Sequence, residues 1–154
     1  MGIKHHYTAR VKTLQTSHNR LCRETFLNKL ESQDLFIADF TDGASTSGYI
    51  DIDVDLPANA IVVGWKAVVS GAFAGDTTAV ISVGISGDTD KYSGVTTASC
   101  FTAATVGAMG NTDSAMVTAA QTVRVTVTGG ADFTSIVTDA GGAMKVSLYY
   151  FIAW

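Results

Sequence analysis

Residues 49–56 read YIDIDVDL, with Asp51, Asp53 and Asp55 at alternate positions and Ile50, Ile52, Val54 and Leu56 between them. Three carboxylates within five residues invite two readings, a cation or acid/base site, or a strand with one wet face and one dry face. Successive side chains of a strand point to opposite faces, so the aspartates share one face at ~6–7 Å spacing and the aliphatics share the other. Carboxylates that close repel one another unless solvated or met by cations. A half-buried antiparallel strand accounts for the whole pattern, and the charged row also discourages edge-to-edge aggregation. Ile50, Ile52 and Val54 are therefore expected to be buried and the aspartates exposed. The functional residue of this reading is electrostatic, an acidic face that a basic partner could meet.

The same period of two continues on both sides. LFIADF (35–40) reads as a short strand, DGASTSG (42–48) as a turn cluster, and Pro57 stops the acidic strand because it has no N–H to donate. AIVVGWKAVVSG (60–71) is a longer apolar run that AFAGD (72–76) turns back. TAVISVGI (78–85), TVRVTVTG (122–129) and AMKVSLYYFIAW (143–154) are further strands, and Cys100–Ala120 holds one or two more. Six to eight short strands, with no helical pattern after residue 35, predict an all-β fold, an antiparallel β-sandwich of jelly-roll type spanning residues 35–154. With 154 residues, 47% apolar and 16% charged, the chain has the size and composition of one folded domain.

Residues 1–34 differ from this body. Residues 1–31 carry six basic side chains (Lys4, Arg10, Lys12, Arg20, Arg23, Lys29) against Glu24 and Glu31, a balance of +4, while residues 32–154 carry four basic and twelve acidic side chains, a balance of −8. Cys22, Phe26 and Leu30, with Leu27 beside them, are spaced for a short amphipathic helix over 17–32. Residues 3–16 show no clear period. A basic segment outside the sandwich pattern either docks onto another surface or packs as a helix on its own sandwich, and both readings stand at this level.

The chemistry of an enzyme is hard to assemble. His5, His6 and His18 all lie in the arm, the body contains no glutamate, and no nucleophile elbow, phosphate loop or paired-cysteine motif is present. In SGDTDKYSG (86–94), Asp88 and Asp90 have the spacing that opens a calcium loop. Gly94 falls one position late, however, and Ser99 stands where a bidentate glutamate should close the cage, so a turn is the plainer reading. Cys22 and Cys100 form no spaced pair and are expected to be free thiols. No apolar run reaches the ~18 residues of a membrane helix, and none follows the first positive charges, so neither a span nor a secretory signal is expected. No cofactor is expected. The acidic body argues against nucleic acid as a partner.

LPANAIVVGWKAVVSGAFAG and TAVISVGISGDTDKYSG, preceded by the acidic strand, resemble a pattern in small structural proteins of tailed bacteriophages. There an acidic strand leads into Leu-Pro-Ala-x-Ala-Ile/Val, a long apolar strand, and a strand ending Val-Gly-x-Ser-Gly-Asp-x-Asp. The resemblance runs from about Tyr49 to Gly94. It implies a non-enzymatic virion component made in the host cytoplasm, most specifically a decoration (cement) protein on the capsid exterior. The implied partners are the major capsid protein and further copies of the chain, as a homotrimer. On that reading Lys4, Tyr7, Arg10, Lys12, Arg20 and Arg23 of the arm contact the capsid. Tyr149, Tyr150, Phe151 and Trp154 are consecutive aromatics that need cover on both sides of their strand. A subunit interface supplies it, and so does a central place in the chain's own sandwich. The alternatives are a tail or head-fibre component, or a receptor- or carbohydrate-binding module in which exposed Trp65 and Tyr92 would stack on sugar.

Overall fold

The computed structural model describes residues 27–94, 98–109, 115–137 and 141–153. The arm residues Lys4, Tyr7, Arg10, Lys12, Arg20 and Arg23, the three histidines, Cys22 and Trp154 lie outside them. Nine strands run through the described residues: β1 Asn28–Glu31, β2 Leu35–Phe36, β3 Thr41–Asp42, β4 Ser47–Asp51, β5 Ala60–Gly71, β6 Ala79–Gly84, β7 Ala104–Met109, β8 Arg124–Gly129 and β9 Ala143–Ile152. They form two antiparallel sheets. One has the order β1-β9-β5-β7, with β2 also paired to β9, and the other the order β3-β4-β8-β6. The protein is thus an all-β sandwich. Every step from β4 to β9 crosses from one sheet to the other, so the turn after β5 leads into the opposite sheet and forms no hairpin with β6.

The longest ladder joins β5 to β9. The apolar run 60–71 does not alternate because its register shifts between Val62 and Gly64. Ala60 and Val62 are buried before the shift, and Trp65, Ala67 and Val69 after it. An extra residue in a strand reverses which parity faces the core, so this bulge keeps both halves of β5 pointing inward. Opposite them, Met144, Val146 and Leu148 of β9 are buried. The core continues into the other sheet through Ile81, Val83, Val125 and Val127. One end is closed by aromatics: Phe40 meets Phe73 edge-on at 6.2 Å between ring centroids and Phe133 at 6.3 Å. Gly48 makes room for the Phe133 ring, since a Cβ there would lie 2.0 Å from ring carbon Cε1.

The YIDIDVDL stretch departs from a plain strand. β4 ends at Asp51, and the Ile52 N–H still donates to Val123 O (2.9 Å). The next ladder contact is Leu56 with Gln121, bonded both ways at 2.9 Å. Four steps along this strand therefore match two steps along its partner, and two extra residues bulge outward. Leu56 takes the buried position that strict alternation assigns to Val54. Ile52 and Leu56 are buried, Ile50 is half-buried, and Val54 is 51% exposed, a correction to the alternating expectation. Asp51, Asp53 and Asp55 are exposed, as the pattern indicates. The bulge is pinned on both sides: the Asp53 N–H donates to Gln33 Oε1 (3.2 Å), and the Thr122 hydroxyl donates to Asp55 Oδ1 (2.8 Å).

Two other expectations change. LFIADF is not one strand. β2 gives way to a 3-10 turn at Ile37–Asp39 that carries the chain across to β3 in the other sheet. The helix expected over 17–32 does not reach its C-terminal part, because residues 28–31 are β1, paired to β9 from Asn28↔Tyr150 to Glu31↔Ser147 with Leu30 buried. Of the last residues assigned to the arm, 28–31 thus belong to the sheet and 32–34 link them to β2. Cys100 is a free, buried thiol whose Sγ–H donates to Ala79 O at 3.3 Å. Burial pushes its pKa up to about 12, so it is un-ionised at neutral pH.

The bulge makes a quantitative distinction. Ile52→Ala should cost ~2–4 kcal/mol, as for a buried aliphatic, whereas Val54→Ala and Asp53→Asn should each stay within ~0.5 kcal/mol. Urea unfolding of the three variants measures this. A loss at Val54 equal to that at Ile52 would mean that the strand alternates without a bulge.

Candidate interaction surface

β9 lies inside its sheet, flanked by β1 and β2 on one side and β5 on the other, so its aromatics divide by parity. Tyr150 and Ile152 pack against the core. Tyr149 and Phe151 have the opposite parity and stand on the outer face, where Phe151 pairs with Ile61 and Tyr149 sits between Gly64 and Lys29. Phe151 is 40% exposed, Ile61, Val63 and Tyr149 are half-buried, and Leu27 beside β1 is 44% exposed. Together they present an apolar and aromatic area on an otherwise polar sheet face. Large aromatics left partly exposed in such a cluster mark contact surfaces. The sequence reading placed Ile61 only within an apolar run and Leu27 on a helix face; the outward position of Ile61 follows from cross-strand register, which the residue order alone does not reveal.

Next to this area the same face holds an open groove of ≈ 280 Å³ lined by Glu31, Asp34, Lys66, Val68, Ser70, Lys145 and Ser147. Its charges pair internally. Lys145 Nζ lies 3.4 Å from Asp34 Oδ1, the Ser147 hydroxyl donates to Glu31 at 3.3 Å, and Glu31 also pairs with Lys29, which holds its carboxyl below the usual range. The arrangement is that of a solvated charged face, with carboxylates committed to lysines.

On the outer face of the other sheet, Arg124 sits directly across from Asp51 and binds it through two hydrogen bonds, Nε to Oδ1 at 2.7 Å and Nη2 to Oδ2 at 2.9 Å. The guanidinium also lies 3.8 Å over the Tyr49 ring. The first carboxylate of the acidic row is thereby matched by a cation in its own sheet, and its pKa is held down chiefly by that hydrogen bonding. Asp76 has its pKa lowered by a different cause, the backbone N–H groups of Ala131 and of the adjacent Thr77, and the Ala131 bond ties the β5–β6 turn to the segment after β8.

The remaining candidates resolve as follows. Trp65 and Tyr92 are buried, 4% and 1% exposed, so neither is available to stack on sugar. The SGDTDKYSG loop folds back through reciprocal backbone bonds between Ile85 and Asp88, of 2.9 and 3.2 Å. Among the described residues no group of three or more His, Cys, Asp or Glu side chains could hold a metal ion. None of their helices is long and apolar enough to cross a membrane.

The Asp51–Arg124 pair sets a pH dependence. Because the folded state lowers the Asp51 pKa, its stabilisation is complete above the unfolded value of ~3.9 and fades as pH falls through the lower folded value. Arg124→Gln should therefore reduce stability at pH 7 and flatten the loss of stability below about pH 4 relative to the parent chain. Denaturant midpoints measured from neutral to acid pH test this. Parallel curves for the two proteins would show that the pair contributes nothing.

No family model matches the chain, and no curated protein matches it either. Solved structures do. A chain of the cyanophage Pam1 capsid asymmetric unit superposes with a TM-score of 0.54 at 23% identity, covering 82% of this chain and 86% of that one. The capsid of Ralstonia phage GP4 gives 0.46 at 21% identity over 84% and 86% of the two chains, and that of Helicobacter pylori bacteriophage KHP30 gives 0.44 at 15% over 83% and 95%. The sandwich fold is thus shared with a chain of the Pam1 capsid.

Proposed function

We propose that the protein is a non-enzymatic structural component of a tailed-phage virion, and specifically a decoration (cement) protein. It binds the outer surface of the capsid, with the major capsid protein as partner, and stabilises the shell. The observation that carries this reading is the fold shared over 82% of the chain with a chain of the Pam1 capsid asymmetric unit. The strand order supports it: β1-β9-β5-β7 facing β4-β8-β6, wound by crossings between sheets, fits a jelly roll, an architecture that recurs in viral capsid domains. The acidic row at and beyond the end of β4 and the outer aromatics of β9 both read as contact surfaces.

Two surfaces divide the work in this proposal. The area around Tyr149 and Phe151 joins copies of the chain into a homotrimer, with Trp154 nearby in sequence. The basic residues Lys4, Arg10, Lys12, Arg20 and Arg23, with Tyr7, bind the capsid. An arm of this kind adds contacts without enlarging the core. Its attraction to the partner is screened as the Debye length falls from ~10 Å at 0.1 M to ~3 Å at 1 M salt.

Co-sedimentation with capsids that lack the protein tests the proposal, alongside the temperature at which those capsids open. The full chain is expected to bind and raise that temperature. Deleting residues 1–16 should leave its own melting temperature nearly unchanged, strongly reduce binding, and weaken the salt dependence. Failure of the full chain to bind capsids, or undiminished binding by the deleted form, would overturn the assignment of partner or of arm, respectively.

Phe151→Asp tests the trimer separately. It should weaken self-association by about tenfold or more, because buried aromatics carry most of the energy of such contacts. A sedimentation profile identical to that of the parent would exclude this face from the interface.

A further inference from the structure

The sandwich has four sheet edges, and three of them are protected in recognisable ways. β1 carries Lys29 and Glu31, paired with one another. β3 is two residues long and ends in Asp42. β6 is covered by the segment around Ser99, where the Ile81 N–H donates to Ala98 O and the Cys100 N–H donates to Ala79 O, both at 3.0 Å. Short strands, charges and cover are the usual means of keeping edges from pairing with other chains.

β7 has none of these. It pairs with β5 along six residues, Ala104–Met109, and among the described residues nothing pairs with its other side. Its sequence ATVGAM has no charge and no proline, and residues 98–112 around it are uncharged as well. Ala104, Thr105 and Gly107 are exposed. Gly107 keeps the strand tight against its neighbour: a Cβ there would lie 2.4 Å from Trp65 O, at a φ of +151°. The outcome is an uncharged edge with a row of backbone donors and acceptors.

From this edge we infer a homotypic contact in which β7 pairs antiparallel with β7 of a second copy, extending the sheet across a two-fold axis. Charge selects this partner. In a two-fold contact residue i meets j and j meets i, and a residue near the axis meets its own copy, so a charge there repels itself, whereas the uncharged six-residue β7 carries no such penalty. The contact is distinct from the outer face at Phe151 and does not depend on the virion reading. Where both operate, β7 joins one assembly built through that face to the next.

Thr105, paired with Val68, shares the parity of the outward residues. A two-fold axis normal to the sheet keeps it outward in both copies, so the two Thr105 side chains lie across one seam on one face. Thr105→Lys and Thr105→Glu should each weaken this self-association by about fivefold, and an equal mixture of the two should restore it. Sedimentation over a concentration series reads both effects, with circular dichroism and melting temperature confirming that the variants remain folded. In the parent chain, amide exchange of residues 104–109 should slow as concentration rises. Variants that associate like the parent, a mixture that recovers nothing, or amide exchange independent of concentration would each overturn the inference.

Discussion

Pairing of β5 with β9 brings together segments some eighty residues apart, and the rest of the sandwich is arranged around that ladder. Strict alternation from Ala60 along the twelve residues of β5 would turn Lys66 and Ser70 toward the core and Trp65 away from it. The register shift at Val62/Gly64 resolves the conflict by switching parity once, so that Ala60 and Val62, then Trp65, Ala67 and Val69, all face inward. With β5 fixed, β9 becomes an interior strand whose outer neighbours, β1 and β2, are recruited from the N-terminal side of the chain. Such long-range pairing carries a heavy loop-closure cost, which the burial of Met144, Val146 and Leu148 against the β5 side chains offsets.

The other sheet answers a different problem. Its outer face must carry the acidic row without accumulating like charge, and it does so by placing Arg124 opposite Asp51 and stacking the guanidinium on Tyr49. Beyond that pair the bulge turns Asp53 and Asp55 outward, with the Asp53 backbone N–H donating to Gln33 Oε1 and the Asp55 carboxylate accepting from the Thr122 hydroxyl. One device therefore stabilises the end of β4 and spreads its charge.

On the readings proposed above, a sandwich with charged faces, a patch of outward aromatics and one plain edge meets other proteins in several distinct ways. Aromatic contact area, salt-sensitive attraction and backbone pairing differ in how they respond to ionic strength, to single charges and to concentration. On the proposed reading, that separation lets each contact form under conditions that leave the others unchanged.

The sequence by itself determined the fold class, the strands at 60–71, 79–84, 124–129 and 143–152, and the exposure of the three aspartates, since each rests on local alternation or on a continuous apolar run. It also marked the aromatics of β9 as needing cover. It could not show which of them face outward: Tyr150 joins the core while Tyr149 and Phe151 do not, and that division follows from register against β5. Val54 was misread for the same reason, because a two-residue bulge is a property of the pairing between two strands. Leu30 illustrates the reverse case. Its spacing with Cys22 and Phe26 fits a helix, yet the open side of β9 offers backbone bonds that an isolated segment cannot make for itself, and residues 28–31 form a strand there. Local pattern decides which residues are apolar and how often they recur. Only the tertiary structure decides which partner strand they meet, and hence which face they take.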